Sequence, residues 1–135
     1  MSERNFRVGI LAMDGCMLSS IAATTDALRV ARTLAEIRSP GAGLRLEAIV
    51  FGARGQASVR TSTGLDLGNL GPIPDDIDLL LLPGVNHTSV QDLIGRLDGL
   101  REEMELVRRF HLRGVRVAGT CSGSMLLAET GLLDG

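Results

Sequence analysis

Residues 115–131 read Val-Arg-Val-Ala-Gly-Thr-Cys-Ser-Gly-Ser-Met-Leu-Leu-Ala-Glu-Thr-Gly, and no other stretch limits the fold as tightly. A short β-prone run, Val115 to Ala118, meets Gly119. Cys121 and Gly123 follow, and then a helical pattern with Met125, Leu126 and Ala128. The spacing G-x-C-x-G between a strand and a helix is that of a nucleophile elbow carrying cysteine in place of serine. Such a bend needs glycines where strand and helix approach, because a Cβ there collides. The bend residue occupies a rare backbone region and its side chain stands above the sheet edge. The helix starts at the same point, so free N–H groups and the positive dipole end favour an anion or a carbonyl oxygen beside Cys121. The bland alternative is a buried structural cysteine on a strand-to-helix turn.

The rest of the chain repeats the alternation. An apolar run from Phe6 to Met13 reads as a strand buried on both faces, and Asp14-Gly15-Cys16 as the turn after it. A helix capped by Ser19 or Ser20 is expected to run to about Ile37, ended by Pro40-Gly41-Ala42-Gly43. Leu44 to Phe51 is the next strand. The glycine-rich stretch from Gly52 to Leu70 reads as a small hairpin around Ala57 to Thr61. Asp76 to Pro83 is the strongest strand, followed by a turn at Gly84 and Val85. A helical segment from Val90 to Leu112, broken near Gly95 to Gly99, leads to the final strand and the elbow helix. Strands alternating with helices specify a doubly wound, mostly parallel α/β sheet. Ligands in such sheets sit outside the carboxyl ends of the strands. Asp14 to Ser20, Gly84 to His87 and Cys121 to Gly123 all belong to that edge.

Composition narrows the function. A length of 135 residues suits one domain. A net charge of −2 gives no bulk attraction to nucleic acid. Every basic residue is arginine, which excludes a Schiff-base or P-loop lysine. The mixed Arg and Glu residues of 101–113 read as a solvated face rather than a DNA-binding patch. No apolar run reaches membrane-spanning length and no signal peptide is visible, so a cytoplasmic, reduced setting without a membrane partner is expected. Two cysteines and two histidines match no zinc spacing, and nothing in the residues calls for a cofactor.

Three places in the chain resemble the DJ-1/PfpI superfamily, with its class I glutamine-amidotransferase-like, flavodoxin-like fold: Phe6 to Arg32, Leu79 to Gly84, and Gly119 to Gly123. The tail from Leu126 to Gly135 resembles the amidotransferase-like sensor region at the front of AraC-family transcriptional regulators. That resemblance implies a small-molecule ligand, a homodimer, and DNA contact only through a helix-turn-helix beyond Gly135. It also implies that the domain itself continues past Gly135, so that residues 1–135 are an incomplete domain and Leu132 and Leu133 want partners. The histidine that partners the cysteine in catalytic relatives is then outside this chain. The acidic residue that those relatives carry inside the first helix aligns with Ser20.

Cys121 therefore has three possible roles: nucleophile, redox-sensitive thiol, or wall of a ligand pocket. A serine cannot act as a carboxylate base, which favours the pocket wall over catalysis. The amides of Ser122 and Gly123 suit a ligand carboxylate, and those of Gly84 and Val85 could add donors of the oxyanion-hole kind, or simply form a strand-end turn. His87 either reaches the crevice or is a solvated loop residue; Asp14 either lines the pocket or shapes its turn. Cys16 is assigned to packing and His111 to a helix C-terminus. The leading expectation is a ligand-sensing regulatory domain. The alternative is a cysteine-dependent DJ-1/PfpI-type hydrolase, hydratase or glyoxalase.

Overall fold

The computed structural model describes residues 4–135. β1 (Arg4–Ala12) is followed by α1 (Leu18–Arg38) and β2 (Leu44–Gly52). A hairpin of β3 (Val59–Arg60) and β4 (Asp66–Leu67) comes next, then β5 (Leu79–Leu82). The chain ends with α2 (Val90–Asp98), α3 (Arg101–Leu112), β6 (Arg116–Gly119) and α4 (Gly123–Glu129). The main sheet has the order β2-β1-β5-β6 and is parallel throughout. The chain steps from β1 out to β2 and then returns to the other side of β1, so the topological switch lies between β1 and β5.

β1 is central, and Val8, Ile10, Leu11 and Ala12 are all buried, as its uninterrupted apolar run requires. Phe51 of β2 and Phe110 of α3 meet edge to face, with ring centroids 6.1 Å apart. α3 also buries Glu103, only 2% exposed. The Arg54 guanidinium donates to both of its oxygens, at 3.2 and 3.4 Å, so this carboxylate leaves water with a partner.

Most boundaries follow the sequence reading. The hairpin forms where it was expected, and the long helical segment breaks at Gly99, whose N–H closes back on Arg96 and Leu97. The strand expected over Asp76–Pro83 is hydrogen-bonded as β5 only over Leu79–Leu82. Before it, the Asp78 carboxylate accepts from the Arg7 amide at 2.8 Å, so a side chain does there what a ladder bond does elsewhere. One expectation is corrected. Neither Ser19 nor Ser20 caps α1; the cap position is Met17, which offers no side-chain acceptor. Ser20 lies inside the first turn and its hydroxyl is committed elsewhere.

Candidate functional site

The elbow is formed by strand, bend and helix in immediate succession. Cys121 has φ of 53°, one of two non-glycine residues with positive φ among the described residues. That conformation costs an L-residue roughly 1–2 kcal/mol. The flanking glycines make it possible. A Cβ on Gly119 would sit 2.7 Å from the Gly123 carbonyl carbon, and one on Gly123 would sit 2.7 Å from the Pro83 carbonyl oxygen. Both obstacles are backbone, so neither can swing aside. The thiol of Cys121 is free and exposed.

Three loops are stitched together at this edge. The Thr120 amide and hydroxyl both donate to the Leu82 carbonyl, at 2.9 and 3.1 Å. The Met17 amide donates to the Gly84 carbonyl at 2.8 Å. Cys16 and Val85 form an isolated antiparallel bridge. Gly84 is closely packed on three sides. A Cβ there would meet Met17 Sδ at 3.1 Å, Ser20 Oγ at 3.3 Å and Cys121 Cβ at 3.4 Å. Ser20 and Cys121 thus flank one glycine.

The donor map differs from the one read off the sequence. The Gly84 amide donates to Ser20 Oγ at 3.1 Å, and the Val85 amide to Ser122 Oγ at 2.8 Å. Ser122 Oγ in turn donates to the Val85 carbonyl at 2.8 Å. The Gly123 amide closes a turn onto the Thr120 carbonyl at 2.8 Å. Three of the four amides expected to face a ligand therefore already have acceptors. The amides of Cys121 and Ser122 have none among the described residues. Ser20 Oγ accepts one hydrogen bond and its proton has no acceptor there. No Asp or Glu is hydrogen-bonded or ion-paired to Cys121 among the described residues.

The remaining candidates lie around this centre. His87 is exposed and its Nδ1 is 3.1 Å from the Val85 carbonyl, so it is tied to the loop that Ser122 holds. Asp14 is exposed and accepts from the Arg60 amide at 2.9 Å. It fastens the β3–β4 hairpin to the first turn and lines a neighbouring depression of about 250 Å³ with Arg54, Arg96 and Glu103. Cys16 is fully buried, and desolvation pushes its thiol pKa up. Sequence reasoning missed the hydroxyl of Ser122, which fixes the β5 loop. Its only signal was a serine in the first turn after the elbow. Leu132 packs against the core while Leu133 is 61% exposed.

Comparisons with known proteins agree on the fold. No protein-family model matches the chain. A curated relative, the phosphoribosylformylglycinamidine synthase subunit PurQ of Brucella abortus biovar 1, is 40% identical over 63 residues, which is 47% of this chain. The chain covers 28% of that relative's length. Among solved structures, Drosophila melanogaster DJ-1beta superposes with a TM-score of 0.69 at 18% identity, over 98% of this chain and 63% of its own. An AraC family transcriptional regulator from Pseudomonas putida gives 0.63 at 19% identity, over 93% of this chain and 71% of its own. A two-domain protein from Anabaena variabilis with a DJ-1/ThiJ/PfpI-like domain gives 0.65 at 21% identity, over 96% of this chain and 33% of its own. The chain therefore has the α/β, flavodoxin-like fold of these DJ-1/ThiJ/PfpI structures, built on a parallel central sheet.

Proposed function

We propose that this chain is a ligand-sensing domain of an AraC-type transcriptional regulator, acting as a homodimer in the cytoplasm, with a small metabolite seated at the Cys121 elbow. DNA contact belongs to a helix-turn-helix segment outside the sequence described. The observation that carries the reading is the donor map. Among the described residues, the amides of Cys121 and Ser122 and the hydroxyl of Ser20 have protons without acceptors, and no carboxylate is hydrogen-bonded to the sulfur. Such a set binds a carboxylate or carbonyl oxygen and lacks the base that general catalysis needs. Ligand binding would bias a two-state arrangement of the dimer. The fold shared with an AraC family regulator supports this reading.

The test is thermal unfolding with a panel of small carboxylates and amino acids. A specific ligand at about 100 times its Kd stabilises the folded chain by about 2.7 kcal/mol. Ser20→Asp sets a negative charge beside the donors and should erase the shift. A panel that never shifts wild type, or shifts both proteins equally, contradicts the reading.

One observation favours an enzyme instead. The only cysteine that is exposed is held in a strained conformation at the bend, and strain of that kind gathers at functional sites. On that reading the chain is a cysteine-dependent hydrolase, hydratase or glyoxalase. Turnover of a carbonyl or amide substrate that disappears in Cys121→Ala would establish it.

A further inference from the structure

The strand order reverses between β1 and β5, and in open parallel sheets the crevice at such a point is where ligands sit. Asp14, just past the end of β1, and Val85, just past the end of β5, line a depression of about 250 Å³ there. Arg54, Arg96 and Glu103 complete its polar walls. Some of these groups are spent on one another. Both Glu103 oxygens accept from Arg54, which also donates to the Gly99 carbonyl at 3.2 Å. Arg54 and Glu103 thus form a neutral floor. Arg96 and Asp14 are not spent in this way. Arg96 gives only its Nε to Asp92, at 3.2 Å, and the Thr88 amide holds Asp92 in place at 2.9 Å. The Nη1 and Nη2 protons of Arg96 have no acceptor among the described residues. Nη1 lies 3.3 Å from where a Cβ on Gly15 would stand, so the guanidinium edge reaches the turn that Asp14 begins. The Arg60 amide uses Oδ1 of Asp14, and Oδ2 has no donor among the described residues. A cation and an anion therefore share one turn, and no ion pair joins them among the described residues.

We propose that this depression binds a small α-amino acid, at a site separate from the Cys121 elbow. A guanidinium edge with two nitrogens to give takes a carboxylate through parallel N–H···O bonds. The open oxygen of Asp14 takes the ammonium group. Opposite charges that line one depression without meeting are complementary to a zwitterion. A plain anion there would face Asp14 and a plain cation would face Arg96, so each is repelled by the charge it does not use. The volume lies below that of sites for drug-sized ligands, which excludes a nucleotide and leaves room for an amino acid. Val85 and Leu100, both buried, supply an apolar part of the lining for a short side chain. The site needs neither Cys121 nor Ser20, so it does not rest on the elbow reading.

Calorimetric titration of the whole chain with alanine, serine, valine and leucine tests it. Each amino acid is run beside the amine that lacks its carboxylate and the acid that lacks its amine; for valine these are isobutylamine and isovalerate. At least one amino acid should bind saturably, and its two analogues at least about tenfold more weakly. Arg96→Gln and Asp14→Asn should each weaken binding by at least about tenfold, with the circular dichroism spectrum unchanged. Asn keeps an acceptor for the Arg60 amide, and the exposed Arg96–Asp92 pair adds little to stability. Arg96→Lys keeps the charge, loses the fork and should still bind more weakly than wild type. Ser20→Asp, at the elbow, should leave this titration as it is. The site is overturned if none of the amino acids binds, if an amine-free acid binds as well as its amino acid, or if binding ignores both Arg96→Gln and Asp14→Asn. Binding that is lost in Ser20→Asp and kept in the other two variants also overturns it, and puts the amino acid at the elbow in accord with the sensor reading.

Discussion

Two turns at the same sheet edge each carry a cysteine, and they treat it in opposite ways. After β1, Gly15 takes the left-handed conformation, with φ of 82°. Cys16 then swings into the core, fully buried and bridged to Val85. After β6, the cysteine itself takes the left-handed conformation and the glycines stand two residues to either side. Cys121 is thereby pushed out to solvent. Moving the glycine by one position relative to the thiol separates a packing residue from a candidate ligand contact. The chemistry of a cysteine in this fold is decided by which residue of the turn bears the positive φ.

The sharpest way to break that contrast is Gly123→Ala. Its Cβ would be forced against the carbonyls of Leu82 and Pro83, which belong to the central sheet and its end. A loss of about 3 kcal/mol or more is expected, read as a fall in the urea midpoint. A loss under about 1 kcal/mol would mean that the elbow tolerates a looser geometry than described.

Ser122→Ala comes next. It strips the Val85 amide of its acceptor and removes one donor from the Val85 carbonyl. Leaving buried main-chain groups short of partners should cost about 2 kcal/mol. Ser20→Ala frees only the Gly84 amide and should cost less.

The buried turn has a pH signature of its own. Burial raises the Cys16 pKa in the folded state. The stability tied to its protonated form is complete below the unfolded thiol's pKa of about 8.5. It is lost as pH climbs from there through the folded value, because unfolding then releases a proton. The difference between wild type and Cys16→Ala should therefore shrink by up to about 1.4 kcal/mol per pH unit above that point. Denaturant melts from pH 7 to pH 10 report it, and a constant difference would contradict the burial.

The smallest effect is at the bend residue. Cys121→Gly relieves the left-handed strain and should unfold at higher denaturant than Cys121→Ala by about 1 kcal/mol. At Cys16 the same pair of substitutions should run the other way, since that position has no such strain to relieve.

Local features of this design were legible in the sequence. The glycine spacing around Cys121 announced the elbow because the steric demand falls on residues two positions away. The apolar run of β1 announced a central parallel strand, and Gly99 a break between helices. What could not be read was which donors were already taken. The Ser20–Gly84 and Ser122–Val85 bonds join residues 64 and 37 positions apart, and local patterns carry no record of such pairings. Asp14 is similar: it looks like a pocket acid beside a turn until Arg60 arrives from the hairpin. Ser20 illustrates the same limit. A serine near a helix start reads as a cap, and only the approach of the loop after β5 gives its hydroxyl the Gly84 amide to accept from.

Amide hydrogen exchange, read residue by residue by NMR, tests the central claim most directly. The account predicts slow exchange at Gly84 and Val85, whose protons are held by serine hydroxyls, and fast exchange at Cys121 and Ser122, whose protons have no acceptor among the described residues. Ser122→Ala should then accelerate Val85 while leaving Leu11 in the sheet core protected. Protection at Cys121 and Ser122 with rapid exchange at Val85 would place the donors on the other loop and contradict the account.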